Sequence, residues 1–384
     1  MKQHLPALTG VRFLAVFHIF LHHLWAVFTY VRDTKPGTES LLNDMTNIPQ
    51  SIMVFLANGW VSTSLFFLLS GFILAHLYWQ PNGRFRGSPQ HFLIVRLARI
   101  YPVHLIALVP LLINAYHVHI EDGYSLAFIT SSAIGTALLI QAWVPSWIPM
   151  WNWPAWTISV MVMLYLLMPF IIHGLNKLTI RQQHFSLLVL PLVSLIPTAF
   201  YARQLWTGMP WTMQTEIFYS NFPLFWVPYF VAGMLLTRII SVAENAKSDS
   251  KPVIALGDIA FILAISFAMV PDLFQPMTSF IRFGLLMPIY MVFVADLARG
   301  RGFVARLLSY RAFHYLGEIS FSIFIWQSVV IAALFISLSI YPPIADYHFS
   351  IAIVSILLIA IGSLHWIERP ISQWTKRKLK ASHD

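Results

Sequence analysis

Apolar runs of about twenty residues, separated by short loops that hold most of the charge, dominate the chain of 384 residues. A helix needs about 20 predominantly apolar residues to cross the hydrocarbon core of a bilayer. Such runs fall near 8–31, 54–79, 101–116, 156–173, 184–201, 222–240, 252–270, 280–297, 316–340 and 348–367. Backbone groups in lipid must be satisfied within the segment, so the runs are read as helices. The expected fold is an all-α, polytopic membrane helix bundle with ten crossings. Composition agrees: 58% of residues are hydrophobic and only 10% charged, against roughly 25% charged in soluble domains.

A further apolar stretch, 128–143, is short and runs into a segment rich in Trp and Pro. Loop charge settles its reading. With the N-terminus inside and 128–143 not crossing, nineteen of the 24 Lys and Arg face the cytoplasm, among them Lys2, Arg84–Arg99, Lys247, Lys251, Arg299–Arg311 and Lys376–Lys380. Only Arg32, Lys35 and Arg203 then face outward. A crossing at 128–143 would invert every later loop, against the positive-inside bias. The stretch is therefore expected to be re-entrant or interfacial, with both termini cytoplasmic. The domain expected over 1–372 is followed by a basic cytoplasmic tail, 373–384. The first run is too long for the apolar region of a cleaved signal and lacks a small-residue cleavage site.

The net charge of +9 does not point to nucleic acid, because the basic residues are dispersed through loops rather than clustered on a polar face. The absence of cysteine removes thiolate nucleophiles and Cys-ligated metals. No GxSxG elbow, P-loop, HExxH or dinucleotide fingerprint occurs.

Polar side chains inside spans are costly and mark candidate sites. The first span holds Arg12, His18, His22 and His23. Arg12 and His23 are eleven residues apart, close to three helical turns, so both point to one side. A histidine there can act as a general base, or can simply bond to a backbone carbonyl. His18 and His22 have i, i+4 spacing, but no carboxylate accompanies them, so no metal is expected. Arg96 and Arg99 share a helix face at the cytoplasmic boundary, with Arg84 and Arg86 upstream. They read either as topology signals or as a phosphate clamp. Trp151, Trp153 and Trp156 fit a membrane interface. The Glu368–Arg369–Pro370 run reads as a helix stop.

Leu5-Pro-Ala-Leu-Thr-Gly-Val-Arg12-Phe-Leu-Ala followed by His22-His23 resembles the opening of the membrane acyltransferase-3 family. Further motifs of that family recur in order. They are Phe66-Phe-Leu-Leu-Ser70-Gly71-Phe72, Arg96-Leu-Ala-Arg99-Ile-Tyr-Pro, Trp156-Thr-Ile-Ser-Val with Tyr165-Leu-Leu-Met-Pro169, Tyr229-Phe-Val-Ala-Gly233, Leu316-Gly-Glu-Ile-Ser320-Phe-Ser322 and Trp366-Ile-Glu368-Arg369-Pro370. Two positions depart: Met161 stands where the family usually has Glu, and Gln327 where it often has His.

The resemblance implies a bacterial inner-membrane O-acyltransferase with ten crossings. It would move an acyl group, by first choice acetyl, from cytoplasmic acyl-CoA to a hydroxyl of an extracytoplasmic carbohydrate or lipid-linked sugar, as in exopolysaccharide synthesis. Arg12 and His23, with His22 adjacent, fall at the catalytic positions. Arg96 and Arg99, with Arg84 and Arg86, would bind acyl-CoA, and Trp151, Trp153 and Trp156 would face the sugar. No metal is implied, and the other partners are membrane lipids. Two alternatives stay open: a sugar or glycolipid transporter or flippase, and a family member impaired by Met161.

Overall fold

The computed structural model describes residues 5–34, 45, 47–210, 212–243, 255–270, 275–341 and 347–381. Lys2, Lys35, Lys247 and Lys251, and residues 382–384 of the expected tail, lie outside the described residues. The helices are α1 (Pro6–Thr34), α2 (Gln50–Ala57), α3 (Val61–Tyr78), α4 (Pro89–Glu121), α5 (Leu126–Ala137), α6 (Trp156–Leu175), α7 (Ile180–Val193), α8 (Ile196–Trp206), α9 (Met213–Asn221) and α10 (Val227–Ala243). They continue as α11 (Leu256–Ala268), α12 (Gln275–Phe280), α13 (Leu286–Ala298), α14 (Gly302–Leu308), α15 (Arg311–Ile340), α16 (His348–Ser363) and α17 (Arg369–Ala381). No strand forms among the described residues; one isolated antiparallel bridge joins Trp79 and Phe85.

Nine helical stretches among the described residues are long and apolar enough to cross a membrane. They coincide with nine of the ten expected spans. The remaining one, 252–270, is described from residue 255 on; there it holds α11, whose 13 residues reach about 20 Å at 1.5 Å per residue. The stretch 128–143 holds α5, 12 residues long and so about 18 Å. It is shorter than the about 20 residues of a spanning helix, and the 3₁₀ turns Gln141–Trp143, Pro145–Trp147 and Trp153–Ala155 follow it.

The chain divides into two units. The first comprises Met1–Ala15, Trp60–Leu93 and Val160–Glu318. Its centre is the crossing of α3 and α10, where the backbones touch. A Cβ on Gly71 would run into the carbonyl of Phe230, and one on Gly233 into that of Leu68. Lipid gives apolar side chains no reason to bury against each other, so close backbone approach is what holds such helices together. Thr237 adds a bond from its hydroxyl to the Phe72 carbonyl, 3.0 Å. Between α12 and α13 the helix widens into a π-helical turn, Ile281–Leu285. The Arg282 carbonyl there accepts bonds from Ser64, 3.0 Å, and Tyr229, 2.5 Å. The N-terminal turns of α1 meet α14 and α15 equally closely: a Cβ on Gly10 would strike the Leu308 carbonyl, and one on Gly317 the Thr9 carbonyl.

The second unit comprises Val16–Gly59, Ile94–Ser159 and Ile319–Asp384. Here irregular backbone beside α5 is satisfied by side chains of α4, as the membrane requires. Tyr101 donates to the Leu138 carbonyl at 3.0 Å, and His104 Nε2 lies 2.9 Å from the Thr136 carbonyl. His119 Nε2 holds the Met150 carbonyl at 2.6 Å.

The expected helix stop at Glu368–Arg369–Pro370 does not occur. A π-helical turn, Leu364–Glu368, carries α16 directly into α17. Pro370 is absorbed because it falls just after that turn, where its missing N–H and its ring disturb the ladder least. The boundary expected at 372/373 thus falls inside α17. That helix is amphipathic: Thr375 is buried, Trp374 is exposed, and Lys378 Nζ sits 5.6 Å over the Trp374 ring.

Candidate active site

α1 is unbroken from Pro6 to Thr34 and carries Arg12 and the three histidines. Arg12 belongs to the first unit, where its guanidinium donates to the Gly317 carbonyl at the close approach of α1 and α15. The histidines belong to the second unit. There they divide by environment.

His18 is buried; its Nε2 lies 2.7 Å from the Phe55 carbonyl and its ring stacks on Phe55, centroids 4.0 Å apart. His22 is half-buried and packed beside Gly59, where a Cβ would collide with the Cβ of His22. His23 is also half-buried, its ring 5.5 Å from that of His22. It makes a side-chain bond from Nδ1 to Gln327 Oε1, 2.8 Å.

The amide of Gln327 determines what that bond means. Gln327 Nε2 donates to the Phe324 carbonyl at 2.8 Å, so its Oε1 is the atom turned to His23. An amide oxygen only accepts. The network therefore assigns the proton to His23 Nδ1 and the lone pair to Nε2. That is the tautomer of a base whose far nitrogen is free to take a proton from a substrate hydroxyl. Gln327, a departure from the family pattern, is in this way the residue that orients His23. Met161 is buried, 3% exposed, in the first unit.

Asn152 ties the aromatic segment to the same helix. Its Nδ2 donates to the Ile325 carbonyl, 3.2 Å, and its Oδ1 accepts from Ser328, 2.9 Å. These bonds flank Gln327 on α15. Of the three candidate tryptophans, Trp151 is buried, donating to Ser132 at 3.0 Å and meeting the His119 ring edge-on at 4.8 Å. Trp156 is buried too, and Trp153 is exposed.

Arg96 and Arg99 are both half-buried on α4. Arg99 Nε faces Glu368 Oε2 at 3.8 Å, and the Ser322 hydroxyl donates to Glu368 Oε1. Glu368 is 4% exposed, so the guanidinium serves as counter-charge to a buried carboxylate. Arg84 and Arg86 are exposed in the turn after α3, in the first unit. Among the described residues no three His, Cys, Asp or Glu side chains converge as a metal-ligand set.

Sequence reasoning gives Asn152 no role, and Ser322 only a place in a family motif. Glu368 stands in the sequence as part of a helix end and of a family motif, with no role of its own. A carboxylate in the last turns of an apolar span, near the register of Ser322 and Arg99, was the available signal.

Comparison with known proteins agrees with the motifs. The acyltransferase-domain family matches residues 5–366. The acyltransferase MdmB of Streptomyces mycarofaciens is 28% identical over 180 residues, covering 46% of this chain and 42% of that protein. Protein 2 in the picA locus of Rhizobium radiobacter is 42% identical over 52 residues, 14% of this chain and 27% of its own. The chain thus spans less than half the length of these curated relatives. No solved structure matches. The family match takes in Arg12, His23, Arg99 and Gln327 and ends at residue 366, two residues before Glu368. This multi-pass membrane protein belongs to the acyltransferase-3 family.

Proposed function

We propose that the protein moves an acetyl group from cytoplasmic acyl-CoA to a hydroxyl of an extracytoplasmic carbohydrate or lipid-linked sugar, in the inner membrane of a bacterium with both termini inside. The observation that carries this reading is the chain His23 Nδ1, Gln327 Oε1 and Phe324 carbonyl, which leaves His23 Nε2 as the proton acceptor.

In this reading Nε2 takes the proton of the acceptor hydroxyl as its oxygen attacks the thioester carbonyl. The C–S bond breaks, and the imidazolium returns the proton to the departing CoA sulfur. A positioned base of this kind contributes about 10²–10⁴-fold to the rate. Arg12, anchored on Gly317, is assigned to the thioester end of the donor. His22 is assigned to the wall beside His23. Of the aromatic segment, Trp153 is the ring accessible to a sugar. The phosphates of the donor need cations, supplied from among Arg84, Arg86, Arg96 and Arg99.

The test is acetyl-CoA turnover, by hydrolysis or transfer, by the purified full chain in detergent. Activity in the wild type and none above background in an equally stable His23→Ala variant is the expected pair of results. Wild-type turnover in His23→Ala overturns the assignment.

A further inference from the structure

A cleft of about 720 Å³ opens in the first unit, between the turn after α3 and the C-terminal end of α6. Its volume lies in the range of small-molecule sites, roughly 300–1,000 Å³. Its wall is built rather than incidental. The turn is closed by the Trp79–Phe85 bridge and by Gln80 N–H to the Arg84 carbonyl, 3.0 Å. Gly83 occupies the left-handed region at φ +81, where L side chains are strained. Asn176, at the end of α6, accepts from Trp79 Nε1 at 3.0 Å and donates to the Gly83 carbonyl at 2.5 Å.

Two guanidinium groups face this space. Arg84 comes from the turn and Arg238 from α10, with His173 beside them. No carboxylate lines the cleft among the described residues. Arg238 lies over the Trp79 ring at 5.6 Å, and its Nη1 reaches the Gln80 carbonyl only at 3.5 Å. Its Nε is buried with no hydrogen-bond partner among the described residues. A buried N–H with no acceptor is costly; an anion in the cleft supplies one and meets the positive charge. Guanidinium forks match phosphate oxygens in geometry and charge. Phe85, Ile172 and Pro169 give the same cleft an apolar wall, of the kind a planar heterocycle packs against.

We infer that this cleft receives a phosphate ester, and specifically the 3′-phosphorylated adenosine diphosphate end of the acyl donor. Arg84 and Arg238 hold its phosphates. This rests on the acyl-CoA reading above, and it moves the phosphate anchor away from Arg99. A phosphate approaching Arg99 meets the Glu368 carboxylate, 3.8 Å from that guanidinium. Among the described residues, Arg84 and Arg238 present no such competitor.

The experiment titrates the purified full chain with CoA, with adenosine 3′,5′-bisphosphate, with pantetheine and with a short-chain phosphatidylglycerol. Arg84→Gln and Arg238→Gln should each weaken CoA and the bisphosphate by roughly ten- to a hundredfold, the value of one charge-assisted contact. Pantetheine, which has no phosphate, should bind all forms alike. Unchanged CoA affinity in both variants overturns the cleft, whatever Arg96→Gln does. Loss of phosphatidylglycerol binding with CoA binding intact also overturns it, in favour of a lipid headgroup. A wild type that binds neither CoA nor the bisphosphate overturns the acyl-CoA reading itself. Arg84 is exposed, so Arg84→Gln decides the question should Arg238→Gln fail to fold.

Discussion

Replacing Gln327 by Leu separates positioning of the base from binding of the donor. The side chain of Gln327 is fully buried and makes two bonds, to His23 at 2.8 Å and to the Phe324 carbonyl at 2.8 Å. Leucine has similar bulk but no acceptor, so the His23 N–H loses its partner and the ring loses its fixed tautomer. A buried donor left unsatisfied costs about 1–3 kcal/mol. At about 1.36 kcal/mol per decade, that is roughly a 5- to 150-fold loss in turnover if the cost is borne in the reacting state. The donor does not touch Gln327 in this reading, so KM for acetyl-CoA should hold. The chain has no cysteine, so released CoA thiol can be followed by a thiol reagent with no background from the protein. Gln327→Glu restores an acceptor and adds a charge that favours the imidazolium, and turnover should return to the wild-type level or exceed it. Turnover within about twofold of wild type in a folded Gln327→Leu protein would refute the argument, as would a Gln327→Glu variant no better than Gln327→Leu. The twofold bound lies below the roughly fivefold loss that is the smallest the bond energy allows.

Two further outcomes follow from neighbouring contacts. Glu368→Ala strips Arg99 and Ser322 of their common partner; since Arg99 is 39% exposed, solvent screens part of the loss, and the expected destabilisation is about 1–3 kcal/mol rather than the 3–5 of a fully buried pair. Glu368→Gln should recover the share that belongs to Ser322, and equal melting temperatures for Glu368→Ala and wild type would exclude a structural ion pair. Trp151→Ala, which empties a buried site, should cost about 3–5 kcal/mol, whereas Trp153→Ala should leave the melting temperature in place and raise KM for the sugar acceptor; the reverse pattern would reassign the two rings.

The span count was legible because it rests on length and polarity, which survive any detail of packing. Among the described residues, nine of the ten runs are helices long and apolar enough to cross, and the reading of 128–143 as non-crossing rests on loop charge. The clustering of Arg12 and the histidines on one helix was legible for the same reason: helical period is local. What the histidines do was not. His18 and His23 differ by their partners, Phe55 and Gln327, which lie 37 and 304 positions away, and no period reports that. Gln327 counted as a departure because it was compared with a histidine by identity, although an amide oxygen serves the same N–H. Glu368 was hidden by its neighbours: Arg369 and Pro370 give the signature of a helix end, and a π turn, which has no sequence signature, cancels it. The motif glycines Gly71 and Gly233 recur in the family pattern, yet only the structure shows that they are the two sides of one helix crossing.

The π turn at Leu364–Glu368 makes this part of the chain sensitive to length as well as to chemistry. Each residue of an α-helix advances the face by about 100°, and the turn holds one residue more than an α-helical path would. Removing any single residue there would let the helix close into regular geometry without breaking it. The two flanks would then be out of phase: either Glu368 swings away from Ser322 and Arg99, or the buried side of α17 at Thr375 rotates outward. A one-residue deletion in this segment, silent in composition and in hydropathy, would therefore be more damaging than most substitutions. An alignment that spreads a gap freely across 364–368 would misplace every residue after it by a quarter turn or more.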